Sequence, residues 1–158
     1  MNTKIVLFDI DYTMFDTQQY KASSLKDFRV FDEVIAVLEE VSQFATIGIF
    51  SEGEENFQLA KLMETQIKDY FHDDHVHIFT KKMEQLPGVL KKYQGKSLIF
   101  IDDKLEVLHG IKQSDPSVFT IWVKRGVYAE AQTDIAGFQP DAEVLDLKKI
   151  GSIIHNRK

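Results

Sequence analysis

Short apolar runs rich in β-branched residues recur along this chain, and most of them break off into a polar or acidic residue. Residues 4–8 (KIVLF) lead into Asp9 and Asp11, and 45–50 (ATIGIF) into Ser51. Residues 76–79 (VHIF) lead into Thr80, Lys81 and Lys82, and 98–101 (LIFI) into Asp102 and Asp103. Runs apolar on both alternating faces belong to strands covered on both sides, as in a parallel sheet flanked by helices. A further run at 118–123 (VFTIWV) and a short one at 144–145 extend the series. Between the runs, apolar residues fall at helical spacing over 32–41, 54–67, 83–93 and 105–111, and again in the tail at 147–154. In the 54–67 helix, Phe57, Ala60, Leu62, Met63 and Ile67 are expected to face inward. Strands alternating with helices of this length imply an α/β fold, a Rossmann-like three-layer sandwich with a central parallel sheet and right-handed crossovers.

In such a sheet, ligands bind beyond the carboxyl ends of the strands, so the residues just after each run are the candidates for function. Four strand ends deliver acids, a hydroxyl and a lysine toward one crevice. The chain has 158 residues, which is the size of one domain. It has no cysteine, which excludes disulfides and thiolate chemistry. Its net charge of −6 argues against binding long nucleic acids by bulk electrostatics. No apolar stretch reaches the roughly 20 residues of a membrane span. The expected setting is cytoplasmic, with no membrane partner.

Asp9 and Asp11, two residues apart at the end of a buried strand, repel one another unless a cation sits between them. Asp102 and Asp103 add two more carboxylates at a neighbouring strand end. Such an oxygen-rich site suits a hard cation, Mg²⁺ above all. The cation charge would keep Asp9 ionised and able to attack phosphorus. Asp11 is placed to protonate the leaving oxygen and later to activate water. Ser51 and the backbone N–H groups that follow it, from Glu52 to the helix start, can bind phosphate oxygens. A lysine, Lys81 or Lys82, would offset the charge of Asp9 and of the phosphoryl group. Taken singly, Asp103 and Ser51 also read as helix-capping residues and the lysines as solvated. The stretch from His72 to His77 reads as a surface loop, and Trp122 as core.

The segments VLFDIDYTMFDT, TIGIFSEG, FTKKMEQL and LIFIDD resemble, in order, the four motifs of the haloacid dehalogenase-like superfamily. The stretches VFTIWVKRG and FQPDAEVLDLKKI are also similar to it. The resemblance implies a phosphatase acting through an aspartyl-phosphate intermediate. Asp9, Asp11, Ser51 and Lys82 would be catalytic, and Ser51, Glu52 and Lys82 would bind phosphate. Mg²⁺ would be held by the Asp9 side chain, the Asp11 carbonyl and Asp103, with Asp102 behind. The family's lysine-then-helix spacing favours Lys82 over Lys81. Tyr12 departs from the glycine common at that position.

Residues 16–30 are too few for the helical cap domain that many relatives insert there. A capless or minimal-cap member is expected, with no helical lid of its own and an open crevice carrying Tyr20, Leu25 and Phe28 as a flap. The substrate would be a phosphorylated small molecule, a nucleotide or a phosphoprotein, and a homo-oligomer partner could supply a lid. The rival readings are a phosphoryl-accepting receiver-like domain and a non-catalytic binding protein of the same fold. In a receiver domain, however, the paired acids follow the first strand and the accepting aspartate the third.

Overall fold

The computed structural model describes residues 3–157. Six strands form one sheet: β1 (Lys4–Phe8), β2 (Thr46–Glu52), β3 (Val76–Phe79), β4 (Ser97–Asp102), β5 (Phe119–Val123) and β6 (Ala142–Val144). Their order across the sheet is β3-β2-β1-β4-β5-β6. Every neighbouring pair is parallel, with Phe8 opposite Ile49 on one side and Ile101 on the other. The helices are α1 (Thr17–Ala22), α2 (Val34–Ser42), α3 (Glu55–Glu64), α4 (Leu86–Lys92), α5 (Leu105–Ser114), α6 (Val127–Ala131) and α7 (Ile150–His155).

The two-residue period of the strands sorts their side chains into two cores. Val6, Phe8, Ile99 and Ile101 pack with Val34, Leu38 and Val41 of α2 and Ile150 and Ile154 of α7. Ile5, Leu7, Leu98 and Phe100 pack with Leu86 and Val89 of α4 and Leu105, Leu108 and Ile111 of α5. A central strand that alternates between two apolar cores must be apolar at every position, which is why KIVLF and LIFI contain so little else. Trp122 is buried in the second core, and its indole N–H donates to the Asp103 carbonyl at 2.9 Å.

The same pleat positions the site. Asp102 follows Leu98 and Phe100 in register, so it emerges on the α4–α5 side of the sheet. Ser51 follows Ile47 and Ile49, so it emerges on the α2–α3 side. Chain order reverses direction at β1, which sends β2 to one side and β4 to the other. The crevice opens at this switch, beyond the ends of β1 and β4.

The expected 83–93 helix divides in two. A single 3-10 turn, Lys82–Gln85, comes first, and α4 starts at Leu86 with Pro87 in its first turn. Proline tolerates that position because the N–H it lacks has no helical partner there. The insert also departs from expectation. No full cap is present, but residues 16–30 do contain a helix, α1, capped by the Asp16 carboxylate accepting from Gln19 N–H at 3.1 Å. Tertiary packing stabilises so short a helix: Tyr20 is buried, with its ring 5.5 Å from that of Phe15 and 4.9 Å from that of Phe28. Among the described residues, no helix is long and apolar enough to cross a membrane.

Candidate active site

Asp9 ends β1 with its carboxylate held at both oxygens. Oδ1 accepts from Lys82 Nζ at 3.2 Å, and Oδ2 accepts from the Thr13 hydroxyl at 3.4 Å. Lys82 Nζ also donates to Asp102 Oδ2 at 2.6 Å and to the Phe50 carbonyl at 3.3 Å. Of the two candidates, Lys82 is the one that reaches these acids. Its neighbour Lys81 is exposed and lies 3.6 Å from Glu84. Burial alone pulls the Lys82 ammonium down, but the Asp102 and Asp9 carboxylates outweigh it and raise it above its ordinary value.

The two acids of the fourth strand have different partners. Asp102 pairs with Lys82 and accepts the Lys104 backbone N–H at 2.9 Å. Asp103 is 1 % exposed, and both of its carboxylate oxygens are buried without a hydrogen-bond partner. Oxygens of Asp9, Asp102 and Asp103 lie within 4.8 Å of one another. Burial, followed by the Asp9 and Asp102 charges, pushes the Asp103 carboxyl far above its usual range. Burial and the Asp102 charge also raise Asp9, against the pull of Lys82. With all three carboxylates ionised, the single Lys82 ammonium would leave two negative charges uncompensated, which adds to burial in raising Asp103 and Asp9. An unpartnered buried carboxylate in an all-oxygen donor set fits a hard divalent cation.

Asp11 faces the other side of the crevice. Its Oδ1 accepts from Lys61 Nζ at 2.7 Å and from the Thr17 hydroxyl at 2.9 Å. Its Oδ2 accepts from Gln58 Nε2 at 2.9 Å, and the same amide nitrogen donates to Ser51 Oγ at 3.0 Å. Gln58 and Lys61 sit three residues apart on the buried face of α3, at 2 % and 4 % exposure. Neither belongs to the inward set expected from the sequence. Phe57 and Met63, expected inside, are 44 % and 64 % exposed. The buried face of α3 covers the site at Gln58 and Lys61 and apolar core at Leu62, which is inward as expected, so two polar residues are turned in beside an apolar one.

Ser51 is fully buried at the end of β2, and Glu52 follows it at the rim. The Glu52 carboxylate accepts the Lys82 backbone N–H at 3.1 Å. At the start of α3 the Glu54 carboxylate accepts from Asn56 and Phe57 N–H, so these two donors are already engaged by the chain's own cap. The phosphate-binding donors expected at this helix start therefore reduce to those nearer Ser51.

Tyr12 has a positive φ of 61°, a conformation that favours glycine, and is nonetheless buried. Gly126 makes room for it. A Cβ at Gly126 would lie 2.5 Å from Tyr12 Cδ1, and Gly126 itself has φ +85°. Arg125 fixes the same turn. Its guanidinium donates to the carbonyls of Tyr12 at 3.3 Å and Thr13 at 2.5 Å, pairs with Glu33 and stacks 3.6 Å from the Phe31 ring centre. The crevice is a cleft of about 350 Å³. Asp9, Asp11, Lys61, Lys82 and Asp103 line its floor. Tyr12, Tyr20, Lys21, Leu25, Phe57, Lys104 and Tyr128 line its walls. Of the flap residues expected in the insert, Tyr20 and Leu25 line the cleft, and Phe28 packs on Tyr20 instead.

No family model matches the sequence, and no curated protein is similar to it. Solved structures are similar over almost the whole chain. A haloacid dehalogenase-like hydrolase from Burkholderia xenovorans LB400 superposes with a TM-score of 0.84 at 17% identity, covering 97% of each chain. The HAD-hydrolase YfnB from Bacillus subtilis, bound to magnesium, gives 0.76 at 14% identity, covering 98% of this chain and 99% of its own. L-2-haloacid dehalogenase from Xanthobacter autotrophicus, with chloropropionic acid covalently bound, gives 0.74 at 13% identity with both chains covered fully. At these identities the likeness establishes the fold.

Proposed function

We propose that this chain, built on the haloacid dehalogenase-like fold, is a magnesium-dependent phosphatase that takes the phosphoryl group of a monoester onto Asp9. The observation that carries the reading is Asp103, whose unpartnered buried carboxylate lies with those of Asp9 and Asp102, their oxygens within 4.8 Å of one another. The Asp9 and Asp103 side chains and the Asp11 carbonyl would hold Mg²⁺, with Asp102 behind them. Its charge would keep the carboxylates ionised and offset that of the phosphoryl group.

An Asp9 oxygen attacks phosphorus, and the bond from phosphorus to the ester oxygen breaks. Asp11, whose oxygens accept from Lys61, Thr17 and Gln58 in the free protein, takes up a proton as the substrate binds and gives it to the departing oxygen. It then takes a proton from the water that attacks the aspartyl phosphate, releasing inorganic phosphate and restoring Asp9. Ser51 Oγ and Lys82 Nζ hold the phosphoryl oxygens through both halves, and Lys82 offsets their charge. The magnesium-bound relative of the same fold is consistent with this chemistry. Dehalogenases also share the fold, so the test must separate the two activities.

Purified protein should release phosphate from 4-nitrophenyl phosphate with added Mg²⁺, lose that activity in excess chelator and regain it when Mg²⁺ is restored. Asp9→Asn should lower kcat by roughly 10³-fold or more, because it removes the attacking charge while keeping the side-chain shape. Chloride release from L-2-chloropropionate without phosphate release would overturn the phosphatase assignment. Full phosphatase activity in chelator would overturn the metal requirement.

A further inference from the structure

Four lysines line the cleft, and they differ in how their charge is met. Lys82 lies between Asp9 and Asp102, and Lys61 lies against Asp11. Lys21 and Lys104 have no ion-pair partner among the described residues. In a chain of net charge −6, two unpaired cations on the walls of one cleft, against the unpaired Glu52 carboxylate on the same lining, make a local positive patch. Both are also set against aromatic rings. Lys104 Nζ lies 4.2 Å from the centre of the Tyr128 ring, and Lys21 Nζ 5.8 Å from that of Tyr12. The two tyrosines meet edge to face at 5.6 Å. A ring face steadies an ammonium without neutralising it, and it removes water from one side of the charge.

The backbone fixes how this pair stands to the floor of the cleft. Lys104 precedes α5, and its N–H donates to Asp102, the partner of Lys82. Lys21 stands in the last turn of α1, whose Thr17 hydroxyl bonds Asp11. The unpaired ammonium groups are therefore mounted on two segments that also bond site carboxylates, Asp102 from the start of α5 and Asp11 from α1. Resting on the phosphatase reading, we propose that the cleft takes a small phosphate monoester whose leaving group carries a second anionic group, read by Lys21 and Lys104. The phosphoryl group sits at Asp9, Ser51 and Lys82. The second anion sits beside the Tyr12–Tyr128 pair, and the body of the leaving group lies against Phe57 and Tyr128. A cleft of about 350 Å³ matches a small molecule rather than a macromolecular surface.

The test compares phenyl phosphate with 4-carboxyphenyl phosphate, on the wild type and on the double variant Lys21→Gln/Lys104→Gln. Wild type should prefer the carboxylated ester in kcat/KM by roughly tenfold, the worth of one charge-assisted contact at a half-exposed site. In the double variant the ratio should fall to near one. A ratio near one in wild type, or a preference that the double variant retains, overturns the subsite and leaves the phosphatase reading standing. If neither ester is hydrolysed, the phosphatase reading fails, and calorimetry with the two corresponding phosphonates decides the subsite by itself. Tighter binding of 4-carboxyphenylphosphonate that the double variant loses supports it, and equal binding of the two phosphonates overturns it.

Discussion

Asp11 is the most heavily engaged acid in the cleft, and Lys61 is its strongest partner. An ammonium at 2.7 Å, an amide and a hydroxyl together fix both carboxylate oxygens. An acid that must give a proton to the leaving oxygen and later take one from water needs such fixed placement, because proton transfer requires hydrogen-bond reach. Lys61→Met should therefore lower kcat by roughly tenfold with little change in KM, and Lys61→Arg, which keeps the charge, should recover most of the loss. If Lys61 were merely structural, Lys61→Met would lower the melting temperature and leave kcat untouched. The motif acids and Ser51 were legible in the sequence because they follow apolar runs directly. Gln58 and Lys61 were not, because they sit mid-helix where a polar residue normally marks the solvent face. Their one signal is their i,i+3 spacing, with Leu62 adjacent, on a helix whose apolar residues form no continuous stripe.

At the scale of elements, the strands were readable to within about two residues because a doubly covered strand has no polar position to blur its ends. α1 and α6, of six and five residues, were missed, since neither is long enough to show a helical period. The turn after β1 shows how one departure compensates another. Tyr12 stands at positive φ, and Gly126 supplies the space its ring occupies. Gly126→Ala should destabilise the protein, since alanine is strained at φ +85° and its Cβ meets the ring. Adding Tyr12→Gly should recover part of that loss, a coupling of about 1 kcal/mol in a denaturation double-mutant cycle. Arg125→Met should cost about 3 kcal/mol, because it leaves the Glu33 carboxylate unpaired and two turn carbonyls without their donor. Urea denaturation measures that cost, and a loss of phosphatase kcat beyond it would show that the turn also positions Asp9.

Across the whole molecule, acid sensitivity has a source far from the cleft, where β3 meets the end of α4. His75 Nδ1 and His77 Nε2 both bond the Tyr93 hydroxyl, at 2.9 and 2.7 Å. That hydroxyl has one proton, so one neutral imidazole donates to it and the other accepts. Burial, then Lys92 and His75, lower His77 from 6.5 to about 4. A depressed histidine binds fewer protons in the folded state than in the unfolded chain, so stability is lost as pH falls from 6.5 toward 4. The melting temperature of wild type should drop over that window, and that of His77→Gln should drop less. The insert raises a different matter, one of chain length. Its two ends are stapled side by side, with Asp16 N–H on the Arg29 carbonyl and Phe31 N–H on the Met14 carbonyl, both at 2.9 Å. The entropy of closing this loop is therefore already lost at its base, and added residues raise that cost only logarithmically. Doubling the loop with a Gly/Ser stretch between Leu25 and Lys26 should cost roughly 0.6 kcal/mol in thermal denaturation. The fold thus has a socket into which lids of different size could be spliced while the sheet and its carboxylates stay in place.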